Sequence, residues 1–144
     1  MYNFKGVLDA GGIAVMGTDW PVSYIDPWIG FEAMVTRQDP FSNEARQFYG
    51  EPISLEQAIE VMTINGAHCM GIEASAGNIR VGKSADLIIL DANPFERKCR
   101  GKLHTTKVDL TFLQGQLVWD RLGTYRDSPL QPTWCNSLPA FTKR

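Results

Sequence analysis

Hydrophobic positions near the start of the chain predict a short helix followed by a buried strand. Phe4, Val7 and Leu8 share one helical face, and the Gly11-Gly12 pair favours a left-handed helix end. The apolar run from Ile13 to Met16 lies between glycines, which is typical of a strand covered on both faces. The chain therefore begins with a unit of α/β type, in which the polar residues just after the strand are the first place to look for chemistry.

A second helix is predicted to begin at Asp26. This aspartate is a favourable N-cap, and Pro27 fits the first helical position because its missing N–H needs no partner there. The Asp39-Pro40 pair is expected to end the helix. Apolar residues at helical spacing give the helix a stripe that faces a core, and the stripe consists of Trp28, Phe31, Met34 and Val35.

The strongest helical signal begins at Ser54. Ser54 and Gln57 have the spacing of a capping box, and apolar residues follow at helical spacing towards Gly66 or Gly71. Residues 42–49 carry a much shorter helical pattern that ends before Gly50. We therefore expect one long helix in the middle of the chain.

After Gly77 the pattern changes to that of β-structure. Residues 78–82 predict a short strand or turn, and residues 85–91 a buried strand. Residues 107–119 alternate around Gln114-Gly115, which predicts a β-hairpin with glycine in its turn. The sequence thus divides into an α/β part at residues 1–76, a β part at residues 77–121 and an irregular tail at residues 122–144, which we expect to lie as an extended arm on another surface.

Composition narrows the possible functions. The formal net charge is −2 with no basic stripe, so the footprint of a nucleic-acid-binding protein is missing. No apolar run is long enough for a membrane span, and the N-terminus lacks the apolar core of a signal peptide, so we predict a cytoplasmic protein. The three cysteines are widely spaced and are predicted to be reduced thiols.

At 144 residues, the chain is too short for a complete (β/α)₈ barrel, which needs roughly 200.

Asp19 is the leading candidate for chemistry. It follows the predicted strand directly, which is the position of a metal ligand or a general base, although aspartate in such a place can also simply cap a turn. His68 and His104 lack the HxH or HExxH spacings that hold zinc, and we expect them at a helix end and in a surface loop. The Gly-Lys-Ser at residues 82–84 precedes a strand instead of a helix, so it is a turn and not a phosphate loop.

Several segments in register resemble the amidohydrolase superfamily, specifically its family 3, the YtcJ-like branch. The resemblance runs from residue 2 to about residue 121, and the tail lies beyond it. The segments that carry it are Gly17-Thr18-Asp19-Trp20-Pro21-Val22, Asp26-Pro27, residues 33–37, residues 53–58, Thr63-Ile64-Asn65-Gly66-Ala67, residues 77–91 and the hairpin at residues 113–119.

The resemblance implies the C-terminal fragment of a (β/α)₈ barrel followed by part of a small β-sandwich domain. It also implies metal-dependent hydrolysis of C–N bonds other than peptide bonds, with a divalent metal that is usually zinc. Asp19 matches the family's aspartate after the last barrel strand, a catalytic residue and metal ligand, and Trp20 and Val22 would line the substrate pocket. The family's HxH pair, its bridging ligand and its two later histidines have no counterpart in this sequence and would lie upstream of Met1.

The leading hypothesis is therefore the C-terminal part of a metal-dependent hydrolase, inactive alone and without tight metal binding. Its substrate would be a small amide-like molecule, with no nucleic acid and no membrane as partners. The alternative is a non-catalytic regulatory or interaction module of the same fold, like members of the branch called exoenzyme regulatory proteins. An incomplete barrel exposes apolar strand edges around Ile13 to Met16 and Leu87 to Leu90, so we also predict self-association or contact with the missing N-terminal region.

Overall fold

The computed structural model describes residues 2–42, 48–96 and 101–125. Most of the short helical pattern at residues 42–49 and the tail from residue 126 onward lie outside these residues, as do Cys99 and Cys135. The helices are α1 (Phe4–Asp9), α2 (Pro27–Thr36), α3 (Leu55–Met62) and α4 (Ile64–Cys69), with a 3₁₀ turn at Leu103–Thr105. The strands are β1 (Leu87–Leu90), β2 (Val108–Leu113) and β3 (Gln116–Asp120).

The predicted starts of α2 and α3 are confirmed in atomic detail. The Asp26 carboxylate accepts a hydrogen bond from the N–H of Trp28 at 2.9 Å, in the manner of an N-cap. At α3, the Ser54 hydroxyl accepts from the N–H of Gln57 at 3.2 Å, and the Gln57 side chain accepts from the N–H of Ser54 at 3.0 Å. Both bonds of the capping box are therefore present.

Two predicted helix ends are wrong. Helix α2 ends at Thr36 instead of Asp39, because Arg37 adopts a left-handed conformation with φ of 57°. The single long helix predicted from Ser54 is two helices, divided at Thr63, whose φ of −130° and ψ of −90° are not helical. The Thr63 hydroxyl donates to the carbonyl of Ile59 at 2.6 Å, a side-chain bond of the kind that competes with regular helix bonding.

The end of α1 follows the prediction. Gly11 has a φ of 77°, its N–H donates to Leu8, and the N–H of the next glycine donates to Val7, both at 2.9 Å. This pair of bonds is the Schellman motif, which satisfies the last free carbonyls of the helix. The chain then turns into the segment that leads to Asp19.

The segment from Ile13 to Met16 is extended, but the prediction of a strand buried on both faces is wrong. Ala14 is buried, whereas the side chains of Ile13 and Val15 on the other face are exposed. Within the described ranges, no backbone ladder pairs with this segment. A doubly covered strand needs a neighbour on each side and a helix on each face, and the described residues supply a helical layer on one face alone.

The β part of the chain forms an antiparallel sheet with the order β1-β2-β3. The predicted hairpin is confirmed, and Gln114 and Gly115 both have positive φ, as a two-residue hairpin turn requires. Strand β1 is shorter than predicted and is not buried, since Ile88 and Ile89 are both about half exposed. Residues 78–82 form turns and no strand, with Ile79 and Val81 fully accessible to solvent.

The core lies between the helices and the 3₁₀ turn. The predicted stripe of α2 is confirmed, since Phe31 and Met34 are buried while Trp28 and Val35 pack against the same cluster. Cys69, by contrast, is exposed and is not a core residue. The buried cluster consists of Ala14, Phe31, Met34, Ile53, Ala58, Val61 and Leu103.

A buried carboxylate joins helix α2 to the segment that precedes the sheet. One oxygen of Glu32, Oε2, accepts from the backbone N–H of His104 and from its ring Nδ1, each at 2.7 Å. The Glu32 side chain is 5% exposed and that of His104 is 20% exposed. Because hydrogen bonds to a charged group are stronger than neutral ones, this contact across 72 residues fixes how the β part approaches the helices.

A glycine holds the loop after α4 against the helix. Gly77 has a φ of 91°, and a Cβ added there would lie 2.6 Å from the Cβ of Ala67 and 3.1 Å from the Cα of Ile64. In the same loop the Lys83 ammonium donates to the carbonyls of Glu73 and Ala76. Lys83 is thus bonded within its own loop, in agreement with a turn instead of a phosphate loop.

We expect Glu32→Gln to lower the free energy of unfolding by about 1–3 kcal/mol, because it removes the charge from two buried hydrogen bonds. Urea denaturation followed by circular dichroism measures the loss. The matched control is Glu60→Gln, since Glu60 is exposed on α3. Equal urea midpoints for the two variants would contradict the role assigned to Glu32.

We expect Gly77→Ala to destabilise the chain by about 2–4 kcal/mol, because it adds both a steric clash and left-handed strain. Gly82→Ala separates the two effects. Gly82 has nearly the same φ, 92°, but no atom lies within 4 Å of an added Cβ. Thermal unfolding should show a clearly smaller loss for Gly82→Ala, and a loss as large as that of Gly77→Ala would rule out the packing role.

Candidate functional site

Asp19 lies in a tight turn at the end of the extended segment. Its φ of 53° is left-handed, a conformation that aspartate tolerates better than most residues. Its carbonyl accepts from the N–H of Val22 at 2.8 Å, and the Trp20-Pro21 peptide between them is cis. The turn is thus closed by the backbone carbonyl of Asp19 and not by its side chain, so the alternative that the carboxylate caps the turn is not what the structure shows.

The three predicted site residues are all accessible to solvent in this structure. The Asp19 carboxylate is exposed and has no hydrogen bond or ion pair to any described residue. Trp20 is 63% exposed and Val22 82% exposed. A pocket wall normally buries most of its side-chain surface against a ligand or neighbouring walls, so the described residues give this turn an open surface instead of an enclosed pocket.

A line of aromatic contacts connects this turn region to the buried pair of Glu32 and His104. The ring of Tyr24 lies 5.4 Å from that of Phe41, centroid to centroid. Phe41 in turn meets the His104 ring edge-on at 5.7 Å. Such tilted and edge-on contacts are the preferred geometries of aromatic pairs. The loop that begins at Asp19 is therefore attached to the helical layer through Tyr24, and not at Asp19 itself.

The two histidines do not join Asp19 in a metal site. His68 is exposed at the end of α4, as predicted, with Nδ1 3.7 Å from a carboxylate oxygen of Glu73. His104 was predicted as a loop residue at the surface, but it is mostly buried and bonded to Glu32. Across residues 2–42, 48–96 and 101–125, no group of three or more His, Cys, Asp or Glu side chains could hold a metal ion.

The donor set of the described residues therefore does not fit a zinc ion. Zinc in proteins takes three or four ligands, most of them imidazole or thiolate, and one exposed carboxylate supplies a single hard ligand. The Nδ1 atom of His104 is engaged by Glu32 and is therefore not available as a metal ligand. A lone imidazole is equally insufficient as a site.

Sequence reasoning missed two buried charges. Glu32 carried a signal, because it follows Phe31 within the apolar stripe of α2 at the spacing i, i+4 from Trp28. Arg37 carried none: its guanidinium donates to the carbonyls of Tyr2 and Tyr49, and it is 1% exposed. Burial lowers the pKa of Arg37 from its ordinary value, because removal from water disfavours the charged form. The hydrogen bonds of both side chains connect parts of the chain that are distant in sequence. Neither side chain contacts Asp19.

In the described part of the chain, no helix has the length and apolar character that crossing a bilayer demands.

Comparison with known proteins supplies the family. The model of the amidohydrolase family matches residues 1–119. YtcJ of Bacillus subtilis, named as an amidohydrolase, is 29% identical over 118 residues, which are 81% of this chain and 21% of that protein. N-substituted formamide deformylase of Arthrobacter pascens is 27% identical over 128 residues, 86% of this chain and 22% of the enzyme. The chain thus spans about one fifth of the length of these curated relatives.

A solved structure shows the same fold. An amidohydrolase from Thermotoga maritima MSB8 superposes with a TM-score of 0.58 at 23% identity, over 81% of this chain and 25% of that one. This likeness supports a TIM-barrel-type fold, of which the described residues contribute helices and a small antiparallel sheet. Because the family model covers well over half of the 144 residues, the chain belongs to the amidohydrolase family.

Proposed function

We propose that this chain is the C-terminal part of a metal-dependent hydrolase that cleaves C–N bonds other than peptide bonds. The observation that carries the proposal is the family match over residues 1–119, which includes the Asp19 turn. One relative is named for action on N-substituted formamides, so a small amide-like substrate is the class we assign. The division of the chain is part of the proposal, with the end of the barrel at residues 1–76 and a portion of a β-sandwich at residues 77–121.

The role proposed for Asp19 is proton transfer. Its carboxylate takes a proton from the water whose oxygen attacks the substrate carbonyl carbon, and then gives that proton to the leaving nitrogen as the C–N bond breaks. The exposed carboxylate, free of partners among the described residues, supports this role, because no internal bond competes for its oxygens. Trp20 and Val22 follow it in the same turn, and in this proposal they become a wall of the substrate pocket when further segments of the protein cover the turn.

The family is generally metal-dependent, and the described residues do not form a metal site by themselves. We propose that the metal, zinc, requires ligands beyond the described residues, with Asp19 as one ligand. It follows that this chain alone binds zinc weakly and does not turn over substrate. The proposal places the protein in the cytoplasm.

A second candidate is a non-catalytic interaction module of the same fold. The exposed side chains of Ile13 and Val15 favour it, because an extended apolar segment without a paired neighbour is a surface on which another chain can add a strand. The partner would be a second copy or the upstream part of the same protein. Catalysis and association do not exclude one another, so the two candidates are separated by experiment.

The decisive experiment replaces the matching segment of the Arthrobacter pascens deformylase with this chain and measures formate release from N-substituted formamides. Asp19→Asn should lower kcat by about 10²–10⁴, the usual contribution of a general acid or base. Asp26→Asn is the matched control, because asparagine caps a helix as well as aspartate does. Equal rates for the two variants would refute the role of Asp19, and an inactive but folded chimera would favour the interaction module.

For the chain alone, calorimetry should show no saturable zinc binding, and zinc should elicit no hydrolysis of amides, carbamates or N-acyl compounds. A single carboxylate is too poor a ligand set to hold zinc against water. The Asp19→Asn variant should give the same heats as the unchanged chain. Tight binding, or metal-dependent turnover that Asp19→Asn abolishes, would show that the chain carries a complete site of its own.

Light scattering should show self-association of the chain in the micromolar range. Val15→Lys, which places a charge on the exposed apolar segment, should shift the population towards monomer, because an isolated charge at a strand edge opposes pairing. The control is Val81→Lys, since Val81 is also exposed but lies in the loop after α4. A monomer at every concentration would remove the interaction surface.

A further inference from the structure

An apolar groove lies between the helices and the sheet. It has a volume of about 440 Å³, which is within the range of cavities that hold a small ligand or a short peptide segment. Helices α2 and α3 form one wall, and strands β1 and β2 form the other. The side chains that matter here are Trp28, Phe31, Ile59, Met62, Ile88 and Val108.

The sheet directs the chain out beside this groove. Trp119, near the end of β3, donates its indole N–H to the carbonyl of Val108 at 3.3 Å, and Val108 lines the groove. Just beyond β3, the N–H of Arg121 donates to the carbonyl of Asp109 at 2.8 Å. Strand β3 pairs with β2, which forms part of the groove wall, and neighbouring strands lie about 5 Å apart. The chain therefore leaves β3 about one strand spacing from the groove.

A capped turn then fixes the start of the remaining chain. The Asp120 carboxylate accepts from the N–H groups of Gly123 at 2.8 Å and of Tyr125 at 2.6 Å. Desolvation alone would raise the pKa of Asp120, but the backbone hydrogen bonds that the carboxylate accepts together outweigh it and lower the pKa from its ordinary value. The described part of the chain therefore ends at a fixed point, and residues 126–144 in extended form would span about 60 Å.

The sequence of residues 126–144 suits an apolar groove with aromatic walls. It contains Pro129, Leu130, Pro132 and Trp134 in close succession. Proline-rich segments favour the extended polyproline conformation, and grooves lined by aromatic side chains bind them because little conformational freedom is lost. The groove offers the partly exposed ring of Trp28 for this purpose, and the buried ring of Phe31 supports it edge-on at 5.3 Å.

We propose that the groove is the docking site of this chain's own C-terminal tail, with residues 129–134 as the segment that enters it. Three observations carry the proposal: the apolar groove, the exit of the chain one strand away, and the proline-aromatic sequence that follows. The tail lies beyond residues 1–119, where the family model ends. The inference therefore does not rest on the family match and is independent of the function proposed above.

The test is a spin label on the tail combined with methyl NMR. The sequence has three cysteines, so Cys69→Ser with Cys99→Ser leaves Cys135 as the attachment point for a nitroxide, one residue from Trp134. The methyl signals of Ile59, Met62 and Ile88 should lose most of their intensity. Ile79, exposed in the loop after α4, should keep its intensity.

Two matched variants locate the effect. Ile88 and Ile89 are adjacent on β1 and similarly exposed, 51% and 48%, but only Ile88 lines the groove. Ile88→Lys should restore the intensities of Ile59 and Met62 in the labelled chain, whereas Ile89→Lys should leave them quenched. Restoration by both variants, or by neither, would overturn the assignment of the tail to this groove.

A mixed sample identifies the occupant. Spin-labelled chain without isotopes is mixed with isotope-labelled chain without a nitroxide, so that quenching can arise only between two copies. We expect no loss of intensity at Ile88 in this sample. Quenching there would assign the groove to the tail of a second copy, and a lack of quenching in both samples would show that the tail does not bind the groove; either result overturns the proposal.

Discussion

One buried carboxylate determines how the two halves of the described chain fit together. Glu32 projects from helix α2 into the interior, where its Oε2 accepts both the backbone N–H and the ring Nδ1 of His104 at 2.7 Å. A buried charge is costly unless it is fully bonded, so α2 and the turn before β2 must keep their relative position. Two further contacts lie beside this pair: Leu103 is buried in the core, and Phe41 meets the His104 ring edge-on.

The features predicted correctly from the sequence are those whose cause is local. The caps at Asp26 and Ser54 and the turn at Gly115 each depend on residues within four positions of one another, and the structure contains all three. The burial expected for Ile13 to Met16 was wrong because it depends on neighbours distant in sequence. His104 was misplaced for the same reason, since its partner Glu32 is 72 residues away.

The candidate site likewise combines a local feature with one that depends on residues distant in sequence. The residues around Asp19 lie within the stretch that the family model matches, and they form a tight turn. What the sequence around Asp19 cannot provide is enclosure, because the surfaces that exclude water from a carboxylate come from other segments. General acid and base catalysis depends on holding water and substrate in fixed positions beside the carboxylate. Under the function proposed above, the surroundings that would make an exposed Asp19 effective must come from segments other than its own turn.

The family match and the proposed activity therefore depend on different physical properties of the chain. The match extends over residues 1–119, a continuous stretch that contains the turn at Asp19, the capping box at Ser54 and Gly77 packed on Ala67. The proposed activity would require metal ligands and pocket walls that converge from several segments at once. The described residues bring His104 to a carboxylate, but to Glu32 in the core and not to Asp19. His104 thus joins α2 to the segment before β2, and among the described residues it forms no metal-binding group with the aspartate.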